Sequence, residues 1–403
     1  MKNSSLLMAL PFLTISSVFA QALEIGATVP AFRLELLQEQ EDAFTEEDLS
    51  GKVTIFEFWA TWCSPCVASM KDMVELKKEF DQQLQILAIS YEDQARIKRF
   101  MSNRPLDLVF AYDHEEQLNS YFPHRTVPHT VIIDQQGRVA AITRPGAATQ
   151  ETIRKLLRGQ PIDLPRKNDD LGFDYQSDYF RADTNTLASF VLESAIPEVG
   201  TFSKQPNQGP FADRRISMHN FTIDGLYRTA YETSAYRMVY EVDEALFDYD
   251  EEKNKYCLDL IVAPGQNDQL HTILREKIHE QFDIQARLEK RKEEVVVLYR
   301  PDTLESNLQE ADKAMPVRAG GDHFASEGAT LGEFADYLES FGIVGKPVVD
   351  ETDDEQRYAF DFFFEPENPD TFHKAIREMG LKLKKAEREI EVLVIYQGAA
   401  LAE

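Results

Sequence analysis

Val53-Thr54-Ile55-Phe56-Glu57-Phe58-Trp59-Ala60-Thr61-Trp62-Cys63-Ser64-Pro65-Cys66 is the stretch on which the reading of this chain turns. Val53 to Trp59 is dense in β-branched and aromatic residues and predicts a buried strand. From about Pro65 to Phe80, the residues Met70, Met73, Val74, Leu76 and Phe80 recur near helical spacing, so a helix follows. The Cys-x-x-Cys pair therefore stands where strand turns into helix, and that placement carries chemistry. A sulfur at a helix start lies beside unpaired backbone N–H groups and the positive end of the dipole, which favour its thiolate. A second sulfur about one turn on can attack a mixed disulfide at the first and release the partner. Pro65 fits the first helical turn without losing a needed hydrogen bond. Cys63 is then the attacking thiol and Cys66 the resolving one.

Half of a zinc site is the competing use of such a pair, but structural zinc takes four ligands. Cys257 stands alone, the eight histidines are scattered, and no metal is expected. Trp62 precedes the pair and offers an aromatic surface beside the sulfurs. Glu57 lies inside the apolar strand, with Phe56 and Phe58 directed by alternation to the other face. A carboxylate there is costly without a role or partner. It reads either as the proton acceptor for Cys66 or as a partly exposed group on an edge strand. Val127-Pro128 stands immediately before the apolar run Thr130–Asp134. Proline cannot join a central ladder, so this is a tight strand entrance whose isomer the sequence does not decide.

Outward from the pair, strands and helices alternate. Strands are expected at Leu84–Tyr91 and Leu108–Tyr112, and helices at Gln94–Asn103 and Gln150–Leu157. A hairpin is expected at 130–134 and 139–143 around Gln135-Gln136-Gly137. The pattern implies an α/β sheet with an antiparallel edge. The whole chain of 403 residues is too long for one ordinary domain. Its 43 Lys plus Arg against 70 Asp plus Glu give a net charge of −27, which argues against a nucleic-acid partner. Lys2, the apolar stretch Leu6–Val18, and Val18 with Ala20 ahead of Gln21 have the three-part layout of a secretory signal peptide. The expected organisation is a signal peptide at 1–20, an α/β domain at 21–160, a linker at 161–180 and an α+β domain at 181–403. Export to the periplasm or the medium follows from the leader.

The α+β region carries an internal repeat. Tyr256-Cys257-Leu258-Asp259 returns as Tyr358-Ala359-Phe360-Asp361, Pro264 as Pro366, and His271 with Arg275-Glu276 as His373 with Arg377-Glu378. Val295–Tyr299 matches Val392–Tyr396, and Thr222-Ile223 and Thr330-Leu331 each open a helical segment. Two similar halves, about 215–300 and 322–397, are expected, each reading helix, strand, helix, strand, strand. The basic run Arg287, Lys290, Arg291, Lys292 is expected around a solvated hairpin turn. Cys257 is expected to be an inert buried thiol, and His271 with His373 to be repeated packing or capping positions.

Phe58–Cys66, with Thr126-Val127-Pro128-His129-Thr130 downstream, closely resembles the thioredoxin-like proteins of the TlpA/ResA type. Ile25-Gly26, Pro30-Ala31-Phe32 and Gly51-Lys52 resemble the same group. The likeness implies a thioredoxin-like fold in which Pro128 is cis and packs opposite a redox-active Cys63–Cys66 disulfide. It also implies that Val127 offers its backbone to an extended substrate, and it puts Glu57 at the position of the buried acid of thioredoxin. Members often carry another acid just after the second cysteine; here that place holds Ser69. A peroxidase of the same fold would need Thr three residues before the reactive cysteine, where Ala60 stands. Thr330-Leu331, Gly345–Asp350, Tyr358–Asp361 and Gly380–Leu383 resemble an exported bacterial domain of unknown function. The expected activity is thiol–disulfide exchange with protein or small thiol partners and a periplasmic or membrane redox partner, without a cofactor. The second domain is expected to dock an envelope partner. The alternative is an envelope scaffold protein whose cysteines form a stable disulfide.

Overall fold

The structure is a computed structural model that describes residues 22–38, 43–114, 116–249, 251–320, 323–365 and 368–398. The expected signal peptide and Pro366 of the repeat lie outside the described residues.

The N-terminal sheet is built from β1 (Arg33–Leu36), β2 (Ala43–Thr45), β3 (Val53–Phe58), β4 (Leu84–Ser90), β5 (Val109–Tyr112), β6 (His129–Ile133) and β7 (Val139–Thr143). The helices among them are α1 (Ser64–Phe80), α2 (Gln94–Asn103), α3 (Gln117–Tyr121) and α4 (Gln150–Leu157). Strand order is β2-β1-β5-β4-β3-β6-β7. Strands β3, β4 and β5 run parallel, and the hairpin β6–β7 closes one edge antiparallel, as the sequence predicts. The short β1 and β2 close the other edge antiparallel, and neither they nor α3 were expected.

Because β3 is central, its alternating side chains enter two separate cores. Val53 and Ile55 join Met70, Met73 and Phe80 of α1 and Ile153 of α4. Phe56 and Phe58 join Phe32, Phe44 and Phe122 on the opposite face. Glu57 is thereby turned towards α1. Trp59 continues the first core, its ring 4.7 Å from Phe100 and 5.6 Å from Phe110.

Beyond residue 180 the two halves share one topology. The first contains β8 (Ser189–Ser194), β9 (Phe202–Lys204), β10 (Arg215–Thr222), α5 (Ile223–Ala230), β11 (Met238–Tyr240), β12 (Lys255–Ile261), α6 (Leu270–Gln281) and β13 (Ile284–Tyr299). The second contains β14 (Gln309–Ala311), β15 (Arg318–Gly320), β16 (His323–Thr330), α7 (Leu331–Ser340), β17 (Val348–Asp350), β18 (Arg357–Phe363), α8 (Pro369–Glu378) and β19 (Lys382–Gln397). Their sheets, β8-β12-β10-β9 and β14-β18-β16-β15, match strand for strand. A register shift interrupts β10 at Met218/Phe221 and β16 at Ser326/Ala329, the same place in each.

The halves also exchange strands. In the third sheet, β11-β19-β13-β17, the short strand of each half pairs parallel with the long strand of the other. Leu393 and Ile395 of β19 enter the core of the first half, and Leu298 of β13 enters that of the second.

This sheet corrects two expectations. Each half does not end in two strands joined by a turn, and residues 287–292 do not form one. Strand β13 is continuous over 16 residues and pairs with β19 from Ile284↔Gln397 to Tyr299↔Lys382. In the β13 strand of this ribbon the basic residues Lys290, Arg291 and Lys292 stand consecutively between Glu289 and Glu293, so both faces of this strand carry charge and the apolar period that marks a strand is missing there. Lys292 meets Glu387 across the ribbon at 2.6 Å, and Arg287 and Arg291 both reach Glu241 at 2.8 and 2.6 Å. Among the described residues no helix is long and apolar enough to cross a membrane.

Candidate active site

Parallel β3 delivers the chain to the carboxyl end of the sheet, where α1 begins. Cys63 is the N-cap of α1, and its sulfur accepts the backbone N–H of Cys66 at 3.2 Å. The two sulfurs are joined in a disulfide. Cys63 is 4% exposed and Cys66 fully buried, whereas Trp62 beside them is 55% exposed. The approach to Cys63 is fixed from the loop between β4 and α2: Glu92 accepts the Thr61 N–H at 2.5 Å and its hydroxyl at 3.0 Å. Arg96 Nε then donates to Thr61 Oγ1 at 2.6 Å. Sequence reading did not single out Glu92 or Arg96, because they act from α2's entrance on a turn 31 and 35 residues away.

Glu57 is 0% exposed, which removes the alternative of an edge carboxylate. It lies opposite Thr130 in the β3–β6 pairing and accepts that hydroxyl at 2.6 Å. Its other oxygen is 3.5 Å from Ser69 Oγ, which donates to the Cys66 carbonyl at 2.8 Å. Ser69 Oγ thus bridges the Glu57 carboxyl and the Cys66 carbonyl, the contact to Cys66 being the shorter. Burial favours the protonated acid. It pushes the Glu57 carboxyl up to about 8, against the opposing hydrogen bonds of Thr130 and Ser69 and the charge of Lys167. Ser69, read in the sequence only as the absence of an acid, is thus the link between Glu57 and the cysteine turn.

The Val127–Pro128 peptide is cis. It immediately precedes β6, whose His129 pairs with Phe58 at the end of β3, and Val127 packs at the rim of the core that holds both cysteines. Cys63, Cys66, Glu57, Val127 and Pro128 therefore converge at one end of the sheet, with Trp62 exposed beside them.

The segment expected as a plain linker contributes a further group. Lys167, its side chain 1% exposed, directs its ammonium at Asp169 Oδ2 (2.9 Å), Thr126 O (3.0 Å) and His129 Nδ1 (3.3 Å). Three donors thus meet three acceptors, which assigns the His129 proton to Nε2. Asp169 Oδ2 also accepts the backbone N–H groups of Arg125 (2.7 Å) and Thr126 (2.9 Å). Burial works against the Asp169 anion, but Lys167 and the two amides overcome it and hold its carboxyl down to about 2. Burial, with His124 and Lys167 nearby, pushes His129 down to about 2, so its ring is neutral. The rings of His124 and His129 stack at 4.5 Å.

Among the described residues of the second domain no such constellation comes together. His271 lies near Gln205 and Glu232, and His373 beside Phe372, so the equivalent positions have unlike surroundings. Cys257 is buried, and burial raises its thiol. Tyr358, Phe360 and Phe362 fill the core of the second half. Among the described residues no cluster of three potential metal ligands occurs.

Two family profiles match the chain: the AhpC/TSA family over residues 25–142, and a protein family of unknown function, DUF3738, over residues 227–397. The thiol-disulfide oxidoreductase ResA of Geobacillus thermodenitrificans is 31% identical over 156 residues, covering 38% of this chain and 88% of that protein. The thioredoxin-like protein YneN of Bacillus subtilis is 27% identical over 121 residues, covering 29% of this chain and 69% of its own. A thiol:disulfide interchange protein of Chlorobium tepidum overlays on 34% of this chain and 99% of its own, with 22% identity and a TM-score of 0.30.

Proposed function

Since this chain belongs, through its N-terminal domain, to the thiol-disulfide oxidoreductases of the ResA type, we propose that its Cys63–Cys66 pair exchanges disulfides with extended polypeptides outside the cytoplasm. A substrate thiolate attacks Cys63 Sγ. The Cys63–Cys66 bond breaks, and its electron pair passes to Cys66 Sγ, which takes the proton of Glu57. A second substrate thiol, giving up its proton, attacks the substrate sulfur of the mixed disulfide and expels Cys63 as a thiolate, stabilised by the start of α1. The substrate leaves oxidised and the pair reduced. In the reverse direction the Glu57 carboxylate takes the Cys66 proton as Cys66 attacks the mixed disulfide. A carboxyl held up to about 8 suits both directions near neutral pH. Val127 and Pro128 shape the groove, and Trp62 supplies apolar contact.

The observation that carries this reading is the buried Glu57, linked through Ser69 to the turn that holds the disulfide. The test is the Cys66→Ala chain mixed with insulin. Cys63 accumulates a mixed disulfide that dithiothreitol releases and that a Cys63→Ala chain does not form. A Cys66→Ala chain that traps nothing refutes the proposal. It would favour a scaffold with a permanent disulfide, a reading to which the burial of both sulfurs lends some support. Residues 1–20 support export, and a mature chain beginning at Gln21 is the expected product. The DUF3738 domain serves in this reading to dock an envelope partner; full-length chain that cross-links to nothing in intact envelopes would count against that role.

A further inference from the structure

After α4 the chain does not leave the redox domain directly. Lys167 N–H bonds Ile142 O at 3.0 Å and Thr143 Oγ1 bonds Pro165 O at 2.8 Å, so residues 165–167 run along the β7 edge. The chain then crosses the cis-proline loop. Lys167 and Asp169 grip the backbone of Arg125 and Thr126, and the Arg125 guanidinium returns the grip on the carbonyls of Phe173 and Leu171, both at 2.9 Å. Farther on, the strap is anchored to the second domain. Tyr175 and Phe173 pack on Phe202 of β9 at 4.9 and 5.9 Å, and Tyr175 OH accepts the Gly200 N–H. Between the gripped Thr126 and the paired β6, Val127 makes no backbone hydrogen bond within the described chain. A half-buried peptide group left unpaired in an extended segment is an edge on which another chain can add.

We propose that the strap 165–175 is a positioning element of the enzyme: Lys167 and Asp169 hold the Arg125–Val127 backbone in the shape that receives a polypeptide disulfide, favouring protein chains over small disulfides. This rests on the exchange activity proposed above. Neither residue touches the sulfurs. They act through the loop, by saturating the amides of residues 125 and 126 and the carbonyl of 126 while leaving those of 127 open. A buried ammonium with all its donors used holds one geometry, because any displacement of the loop strands a charge.

The test uses the full-length chain with insulin and with a small aromatic disulfide. Asp169→Ala raises KM for insulin about tenfold with kcat changed less than about twofold, the split expected when backbone anchors rather than reacting groups are lost. The efficiency ratio of insulin to the small disulfide falls by about the same factor. Asp169→Asn, which keeps an acceptor for the two amides, recovers most of it. Lys155→Ala, whose exposed side chain pairs with Glu151 on α4 outside the strap, is the control. Parallel losses on both substrates, or no loss on either, overturn the proposal. Should Asp169→Ala fail to fold, hydrogen exchange of the wild-type protein decides: the Arg125 and Thr126 amides exchange at least about 100-fold more slowly than Val127. Equal, fast exchange at all three refutes the strap. A wild-type chain inert towards both substrates would refute the exchange reading instead, and the same hydrogen-exchange comparison would still judge the strap.

Discussion

Replacing Glu57 by Gln should stabilise the oxidised protein at neutral pH while slowing its chemistry. Gln is a neutral stand-in for the protonated acid: its oxygen can accept from Thr130 as Glu57 does, and its amide can donate to the Ser69 oxygen. The wild-type carboxyl is pushed up from 4.5 to about 8, chiefly by burial. A group raised in this way contributes stability that is fully present below its unfolded value and is lost as pH climbs through its folded value. Between those limits the unfolded chain releases a proton that the folded chain keeps, at ~1.4 kcal/mol per pH unit. Glu57→Gln is therefore about equal to wild type in its pH dependence below pH 4 and gains about 3 kcal/mol relative to it by pH 7. The gain levels off above pH 8. Both tryptophans of the chain, Trp59 and Trp62, stand just ahead of the cysteine turn, so urea unfolding followed by tryptophan fluorescence reports this domain alone. Measurements at pH 4, 5.5, 7 and 8.5 trace the curve. A difference that stays constant with pH, or a Gln variant that loses ground as pH rises, would mean that Glu57 is ionised in the fold, and its part as a proton store would fail. In the same variant the step that resolves the mixed disulfide slows by about 100-fold at pH 7.

Glu339→Ala should cost the second domain about 3 kcal/mol, since it strands the Arg237 guanidinium and the Val348 N–H that Glu339 holds at 2.7–2.8 Å. The loss appears in the circular-dichroism transition with tryptophan fluorescence unchanged; equal shifts in both would contradict it. Cys257 should resist a small alkylating reagent in the native oxidised chain and react once in denaturant, with all three cysteines reacting only after reduction. Native alkylation at Cys257 would count against its burial. A chain ending at residue 321 should keep its redox domain but lose the first half of the second domain to proteolysis, because β11 and β13 then lack β19. Survival of residues 215–300 as a protected fragment would show that the half is autonomous.

What could be read from the sequence followed from local pattern. The β-branched run before Cys63 and the helical spacing after it placed the pair at a strand-to-helix turn, and alternation alone turned Glu57 away from Phe56 and Phe58. The repeat was visible because Tyr256–Asp259, Pro264 and His271 with Arg275-Glu276 all return at one offset of 102 residues, and most of them lie in regular elements. The strap was not visible. Lys167 and Asp169 sit among Pro, Arg and Asp without any period, and most of their partners are backbone amides and a carbonyl about forty residues away that have no side-chain signature. The 16-residue ribbon was hidden for a related reason. Its middle is a run of charged residues that reach Glu387 on the paired strand and Glu241 beyond it, and in one dimension such a run looks like a solvated turn. Exchange of β11 and β17 between the halves is a property of pairing, and a three-residue strand carries too little pattern to name its partner.

That exchange sets a schedule for biogenesis. The redox sheet needs only residues up to about 143, whereas Met238 must wait for Leu393 and almost the whole of β13 for the last sixteen residues of the ribbon. Contacts so distant in sequence close slowly. A nascent chain would present a finished thioredoxin-like module while the following segment still had bare strand edges, the condition in which chains seek partners from their neighbours. The sheet and the cysteine turn would thus be assembled before the rest of their own molecule, and newly made copies would depend on prompt completion, or on a chaperone, to avoid knitting together.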